Sequence, residues 1–217
     1  WDFRLSSKDT VALGTGVNLS SDFFYSFDKD QKNDDRNEWD IGADQAVHSV
    51  YRSVGPANTS ALVSGTGNAM AIVDGVAIFS SALPDNIGIG DAIQLDSDGN
   101  GSIDILAFFT ERIDSQNFKV QYNHGGIYGN MATPDEDWQI FRAYTSISNA
   151  ESGVENTGID IAVRDFEAWS GGFSPKNYGQ EWHLVLYDDG VDDNEVTIDG
   201  WGTDDAHQLK IYTPYLA

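Results

Sequence analysis

The chain has 217 residues, 40% of them hydrophobic and 12% aromatic, which excludes wholesale disorder. Its 12 lysines and arginines stand against 35 aspartates and glutamates; the net charge of −23 excludes nucleic acid and anionic membranes as partners and makes cations the natural counterpart. There is no cysteine, so disulfides, thiolate metal sites and thiol nucleophiles are excluded, and no apolar run reaches the roughly 18 residues of a membrane span.

In chain order, Trp1 to Phe27 reads as an N-terminal β arm, set off by the charged, strand-free stretch DKDQKNDDRNEWD from Asp28 to Asp40. The expected division is residues 1–45 as an arm and 46–217 as a β-rich body. Trp1 is not a translation start, so the expectation is an exported chain whose signal peptide has been removed, or a part of something longer. In Ala69 to Ser80 (AMAIVDGVAIFS), two apolar runs flank Asp74-Gly75, the dipeptide favoured in a two-residue hairpin turn. Gly90 to Leu95 is expected to pair with Ile103 to Phe109 across an acidic loop, with Phe118 to Tyr122 as a third strand of a meander.

Asp137 to Tyr144 is strand or helix from its pattern alone, and Ser146 to Asn156 carries capping residues for a short helix. Asp160 to Val163, Trp182 to Tyr187, Glu195 to Ile198 and Gln208 to Tyr212 return to strand-like alternation. The expected class is all-β with minor helix, built as a small sandwich or barrel-like body.

The chemistry concentrates in Asp96-Ser97-Asp98-Gly99-Asn100-Gly101-Ser102-Ile103-Asp104. Asp96, Asp98, Asn100 and Asp104 put oxygens at loop positions 1, 3, 5 and 9, and Ser102 offers a backbone carbonyl at position 7. A hard cation of flexible coordination, Ca²⁺ rather than Mg²⁺, suits this set. Position 12, the bidentate glutamate of an EF-hand, is Ala107, and strands rather than helices are expected on either side. Water or a distant carboxylate must complete the shell, and Asp91 is a candidate. Asp188 to Glu195 has oxygens enough for a second site without a recognisable spacing. An Asx-rich turn without metal is the alternative for both.

Signals for catalysis are weak. His48, His124, His183 and His207 are scattered, no nucleophile elbow or phosphate loop occurs, and acid pairs such as Glu151 with Glu155 or Asp165 with Glu167 are expected by chance among 35 acids. No enzyme is expected. Trp169, Trp182 and Trp201 are candidates for a sugar platform, and Asn18, Asn58 and Asn100 head glycosylation sequons.

The D-x-D-G-N-G-x-x-D pattern resembles the calcium loops of dockerins, thrombospondin type 3 repeats and, because strands flank it, the integrin α-type propeller. DFRLSSKDTVALGTGVNLSSDF and WDIGAD, within Trp1 to Asp44, resemble the closing coil of secreted right-handed parallel β-helix proteins. GIGDAIQLDSDGNGSIDILAF, FRAYTSISNAESGVENTGID and QLKIYTP are similar to the opening module of bacterial surface proteins in which a small β-domain precedes a β-helix. These resemblances imply β-helix-like terminal segments and a secreted, cell-surface location. A β-helix ending placed before a β-helix beginning implies that open edges are met between copies, as a homo-polymer, filament or tube, or within a longer adhesin. The alternative is a carbohydrate-binding or polysaccharide-cleaving module with extracellular glycans as partners.

Overall fold

The computed structural model describes residues 47–123, 125–126, 129–130, 135–164, 166–167 and 172–214. The N-terminal arm, the 28–40 stretch, Asp165 and Trp169 lie outside them. The chain forms two compact units. The smaller takes residues 47–49, 173–182 and 200–209 of those described, the larger the described parts of 50–172, 183–199 and 210–214.

Among the described residues the protein is mostly β with one short α-helix. Its strands are β1 (His48–Val54), β2 (Val63–Ser64), β3 (Met70–Val73), β4 (Val76–Phe79), β5 (Ala92–Leu95), β6 (Ile105–Arg112), β7 (Asn117–Gln121), β8 (Trp138–Phe141), β9 (Gln180–Leu186) and β10 (Leu209–Tyr212), with helix α1 (Ile147–Ser152) between β8 and β9. The larger unit holds an antiparallel sheet of order β2-β8-β5-β6-β7-β4-β3, curled into a half-barrel. A three-stranded sheet has the order β1-β9-β10.

The expected hairpin is present as β3 and β4, with Val73 opposite Val76. Asp74 and Gly75 have φ of 50° and 74°, the doubly left-handed turn whose twist matches the strands. Gly75→Val should therefore cost about 1–2 kcal/mol in urea denaturation, because a β-branched residue resists that region. The meander is also present: β5 pairs with β6 through Ile93 and Ala107, and β6 with β7 through Phe109 and Val120.

Alternation along these strands sends Met70, Ile72, Phe79, Ile93, Leu95, Phe109, Phe118, Val120, Trp138 and Ile140 to one buried core. Phe79 meets Phe109, Phe118 and Trp138 edge-on, with centroids 6.3, 5.8 and 4.9 Å away. β5 is buried on both faces, since Ala92 and Gln94 are covered as fully as Ile93 and Leu95. Gln94 is satisfied there by Gln139 Oε1, to which it donates, and by the Asp160 N–H, which it accepts.

Ser146 caps α1 by accepting the Asn149 N–H, and Gly153 ends it at φ 68°. Two expected strands are absent. Asp160–Val163 is a turn, because the Asp160 carboxylate accepts the Ala162 N–H and its carbonyl the Val163 N–H. Glu195–Ile198 has no strand partner among the described residues, and Ile198 is exposed. In the smaller unit Phe173 stacks on Tyr178 at 4.9 Å, and Trp182 meets Trp201 edge-on at 6.0 Å. Trp182 is buried, its indole N–H donating to Gln180, so it serves packing rather than a sugar platform.

Candidate functional site

The acidic loop is rooted in the core by the two strands it joins. Leu95, the last residue of β5, is buried opposite both Ile105 and Trp138, and the Asp104 N–H donates to the Leu95 carbonyl to close the loop at its base. The Asp96 N–H is bound by the Asp137 carbonyl, which fixes the first acid at the mouth of the hairpin.

Beyond that root the backbone winds around Asp96. Its Oδ1 accepts from the Gly99 N–H at 2.8 Å and the Asp98 N–H at 3.2 Å, and its Oδ2 from the Gly101 N–H at 2.6 Å. Gly99 and Gly101 supply the left-handed residues this winding needs, at φ 71° and 85°. Partial burial, which raises the Asp96 pKa, is outweighed by donation from Gly101, Gly99 and Asp98, and the carboxyl is held below its usual range. Asp98 accepts from the Asn100 N–H and side-chain amide, and Asn100 Oδ1 accepts from the Ser102 N–H. Asp104 takes the Ser97 N–H and hydroxyl, at 2.8 and 2.7 Å.

Asp96, Asp98 and Asn100 are thus brought into one hydrogen-bonded coil, and Asp104 is joined to its first turn. Every side-chain donor is a hard oxygen, the chemistry a calcium ion takes and a soft metal does not. Among the described residues no three His, Asp or Glu side chains form a converged metal cage. A groove of about 320 Å³ runs beside the loop, lined by Asp96, Gly101, Ile103, Glu136, Asp137 and Trp138. The Gly67 N–H holds Glu136 Oε2 at 3.0 Å. Glu136 and Asp137 share this groove with the loop, and the sequence did not point to them. No family model, curated protein or solved structure matches this chain.

Asp91, a candidate to complete the shell, is committed elsewhere. It is buried, and both its oxygens accept from Arg142 Nη1, at 2.7 and 2.9 Å. Burial lifts its pKa to about 6, against the opposing pull of Arg142 and the Gly88 N–H. The 188–195 cluster is divided in the same way. Asp189 takes Arg142 Nε at 2.8 Å and Nη2 at 2.9 Å together with the Asn58 amide, while Asp192 receives the Ile147 N–H at the start of α1.

A second buried network surrounds Arg52, whose Nε donates to Glu167 Oε1 at 2.6 Å and whose guanidinium lies 3.7 Å from the Phe108 ring centroid. Arg52 also donates to the Asn123 carbonyl. Glu155, one of the chance acid pairs, accepts the Phe166 and Glu167 N–H groups and so acts as a turn ligand. Arg52 sits within β1, HSVYRSV, and Arg142 directly follows the apolar end of β8 in QIFRA, an oddity in a chain with 12 cations that could have flagged them.

Proposed function

We propose that this protein is an extracellular, calcium-stabilised structural module, part of a filament, surface layer or adhesin. The observation that carries the reading is the loop Asp96 to Asp104, a coil of oxygen donors hung from a hairpin whose strands belong to the main core. Asp96, Asp98, Asn100, the Ser102 carbonyl and Asp104 would hold the ion, with Glu136 or Asp137 across the groove as the carboxylate that completes its shell. A bound dication would offset repulsion in a chain of net charge −23 and link folding to free calcium. No catalytic role is proposed.

Homo-polymerisation through the terminal β segments, and surface location, follow from the sequence resemblances. No helix among the described residues is long and apolar enough to cross a membrane. The second reading, a glycan-binding module, is favoured by a cleft of about 450 Å³ in the larger unit, where Asp85, Glu111, Asp114 and Arg112 flank Tyr187. Carboxylates and a guanidinium beside an aromatic ring can satisfy sugar hydroxyls.

Calcium at a hundred times its Kd should stabilise the chain by about 2.7 kcal/mol over the same protein in chelator. Asp98→Ala should abolish that increment while costing no more than about 1 kcal/mol in chelator, the scale of its lost hydrogen bonds. Thermal denaturation with and without calcium reads both, and equal losses in the two conditions would remove Asp98 from the ligand set. Electron microscopy in calcium and then in chelator tests the polymer, which should disperse on chelation.

A further inference from the structure

The same loop contains the only Asn–Gly dipeptide of the chain, Asn100–Gly101, on an exposed turn. Asn100 is held in a defined pose: its Oδ1 accepts the Ser102 N–H at 2.9 Å, and its Nδ2 donates to Asp98 Oδ2 at 3.0 Å. A side chain bonded to the N–H two residues ahead is folded back over the intervening peptide, here the Gly101 nitrogen. Nothing beyond its chain neighbours lies within 4 Å of where a Cβ would stand on Gly101, so that side of the residue is open.

We propose that Asn100–Gly101 is a self-modification site at which the backbone cyclises and the asparagine is lost. The Gly101 nitrogen attacks Asn100 Cγ and a nitrogen–carbon bond closes a succinimide ring. The bond from Cγ to Nδ2 breaks, and ammonia leaves with the proton given up by the Gly101 nitrogen. One water then opens the ring at either carbonyl, leaving aspartate or isoaspartate at position 100, with no change of oxidation state. The Ser102 N–H is already on the oxygen that gathers charge in the tetrahedral intermediate.

Asp96 is the restraint on this reaction. Its Oδ2 accepts the Gly101 N–H at 2.6 Å, so attack requires that bond to break beside a negative charge. The product matters to the loop: a carboxylate at position 100 stands where an amide donated to Asp98, replacing attraction with like-charge repulsion unless a cation lies between them. The link to calcium rests on the proposed function; the cyclisation does not.

The test incubates the full chain at neutral pH and physiological temperature, in chelator and in a calcium series, and maps amide-to-acid conversion by peptide mass with isoaspartate detection. Conversion is expected at Asn100 ahead of every other asparagine, absent in Asn100→Gln, which would have to close a larger ring, and faster in Asp96→Asn, which keeps an acceptor oxygen without the charge. Asn100 intact in both wild type and Asp96→Asn when the chain unfolded in urea has converted overturns the proposal, as does equal conversion at other asparagines. If only the cation-free loop reacts, the rate falls by 1 + [Ca²⁺]/Kd, about tenfold at ten times Kd. Conversion at Asn100 with a rate indifferent to calcium supports the modification site and overturns the cation reading.

Discussion

Arg142→Met should destabilise the larger unit by about 3–5 kcal/mol, measured as the urea midpoint at constant slope, because it removes the cation that two neighbouring carboxylates share. Arg142 and Asp91 have no exposed side-chain surface and Asp189 has 11%. The guanidinium donates to both acids and to the Asn86 carbonyl, and it lies 3.6 Å from the Tyr187 ring centroid. Arg142, the residue after β8, thus ties the approach to β5 to the loop after β9, and Asn58 joins the network by donating to Asp189.

The penalty comes from the stranded charges rather than from the worth of the pair, which separates this site from a surface ion pair such as Lys119 with Glu111, both half exposed. Asp91→Asn in the Arg142→Met background should accordingly recover part of the loss, with a coupling energy of at least about 1 kcal/mol in the double-mutant cycle. Additive losses would mean that water reaches Asp91 once the arginine is gone. A single-mutant loss below about 1 kcal/mol would place the network at the surface instead.

The fold was legible where local chemistry and global packing agree. Asp74-Gly75 specifies its turn, and the apolar runs beside it have a period of two with one face buried, so hairpin and core could be read together. The capped α1 was legible for the same reason. β1 was not, because Tyr51-Arg52-Ser53 breaks its apolar run: Arg52 and Ser53 are wholly buried through partners in remote segments, Glu167 for the one and the Ala143 N–H for the other. Asp160 to Val163 has strand-like residues, but its leading aspartate folds back on its own backbone, which alternation does not register.

The loop shows the same limit from the other side. Its oxygen spacing and glycines are contiguous, so Asp96 to Asp104 could be singled out, whereas Glu136 and Asp137 reach its flank only because β8 pairs with β5, Leu95 opposite Trp138. Asp91 was misplaced because charge and proximity in sequence say nothing about an arginine 51 residues away. With 35 acids, an aspartate's role is set by which of the few cations, or which backbone N–H groups, the fold brings to it.

Stability should fall as pH rises from about 6 to about 8, the reverse of ordinary acid denaturation, and Glu167→Gln should flatten the profile. Burial pushes the Glu167 carboxyl from 4.5 up to about 8, with Arg52 opposing and Glu155 reinforcing the shift. The buried Tyr144 hydroxyl opposes the shift as well, more weakly than Arg52, and a protonated Oε2 can donate in this dry site where a charged one can only accept. A carboxyl whose folded pKa lies above its unfolded one binds a proton that the unfolded chain has released. Its contribution is therefore complete below about 4.5 and is lost as pH rises through about 8. Asp91 acts in the same sense over a lower window, from 3.8 to about 6. The carboxyls held low, Asp96, Asp114, Asp189, Asp192 and Asp204, act in the opposite sense, and only as pH falls below 3.8. Among the described residues Glu167 is the carboxyl whose shift spans pH 6 to 8, and one proton corresponds to a slope of up to about 1.4 kcal/mol per pH unit. Urea denaturation at constant ionic strength measures it. A wild-type profile that is level or rising across that interval would mean that the bond from Arg52 keeps Glu167 charged, and Glu167→Gln would then cost stability at every pH.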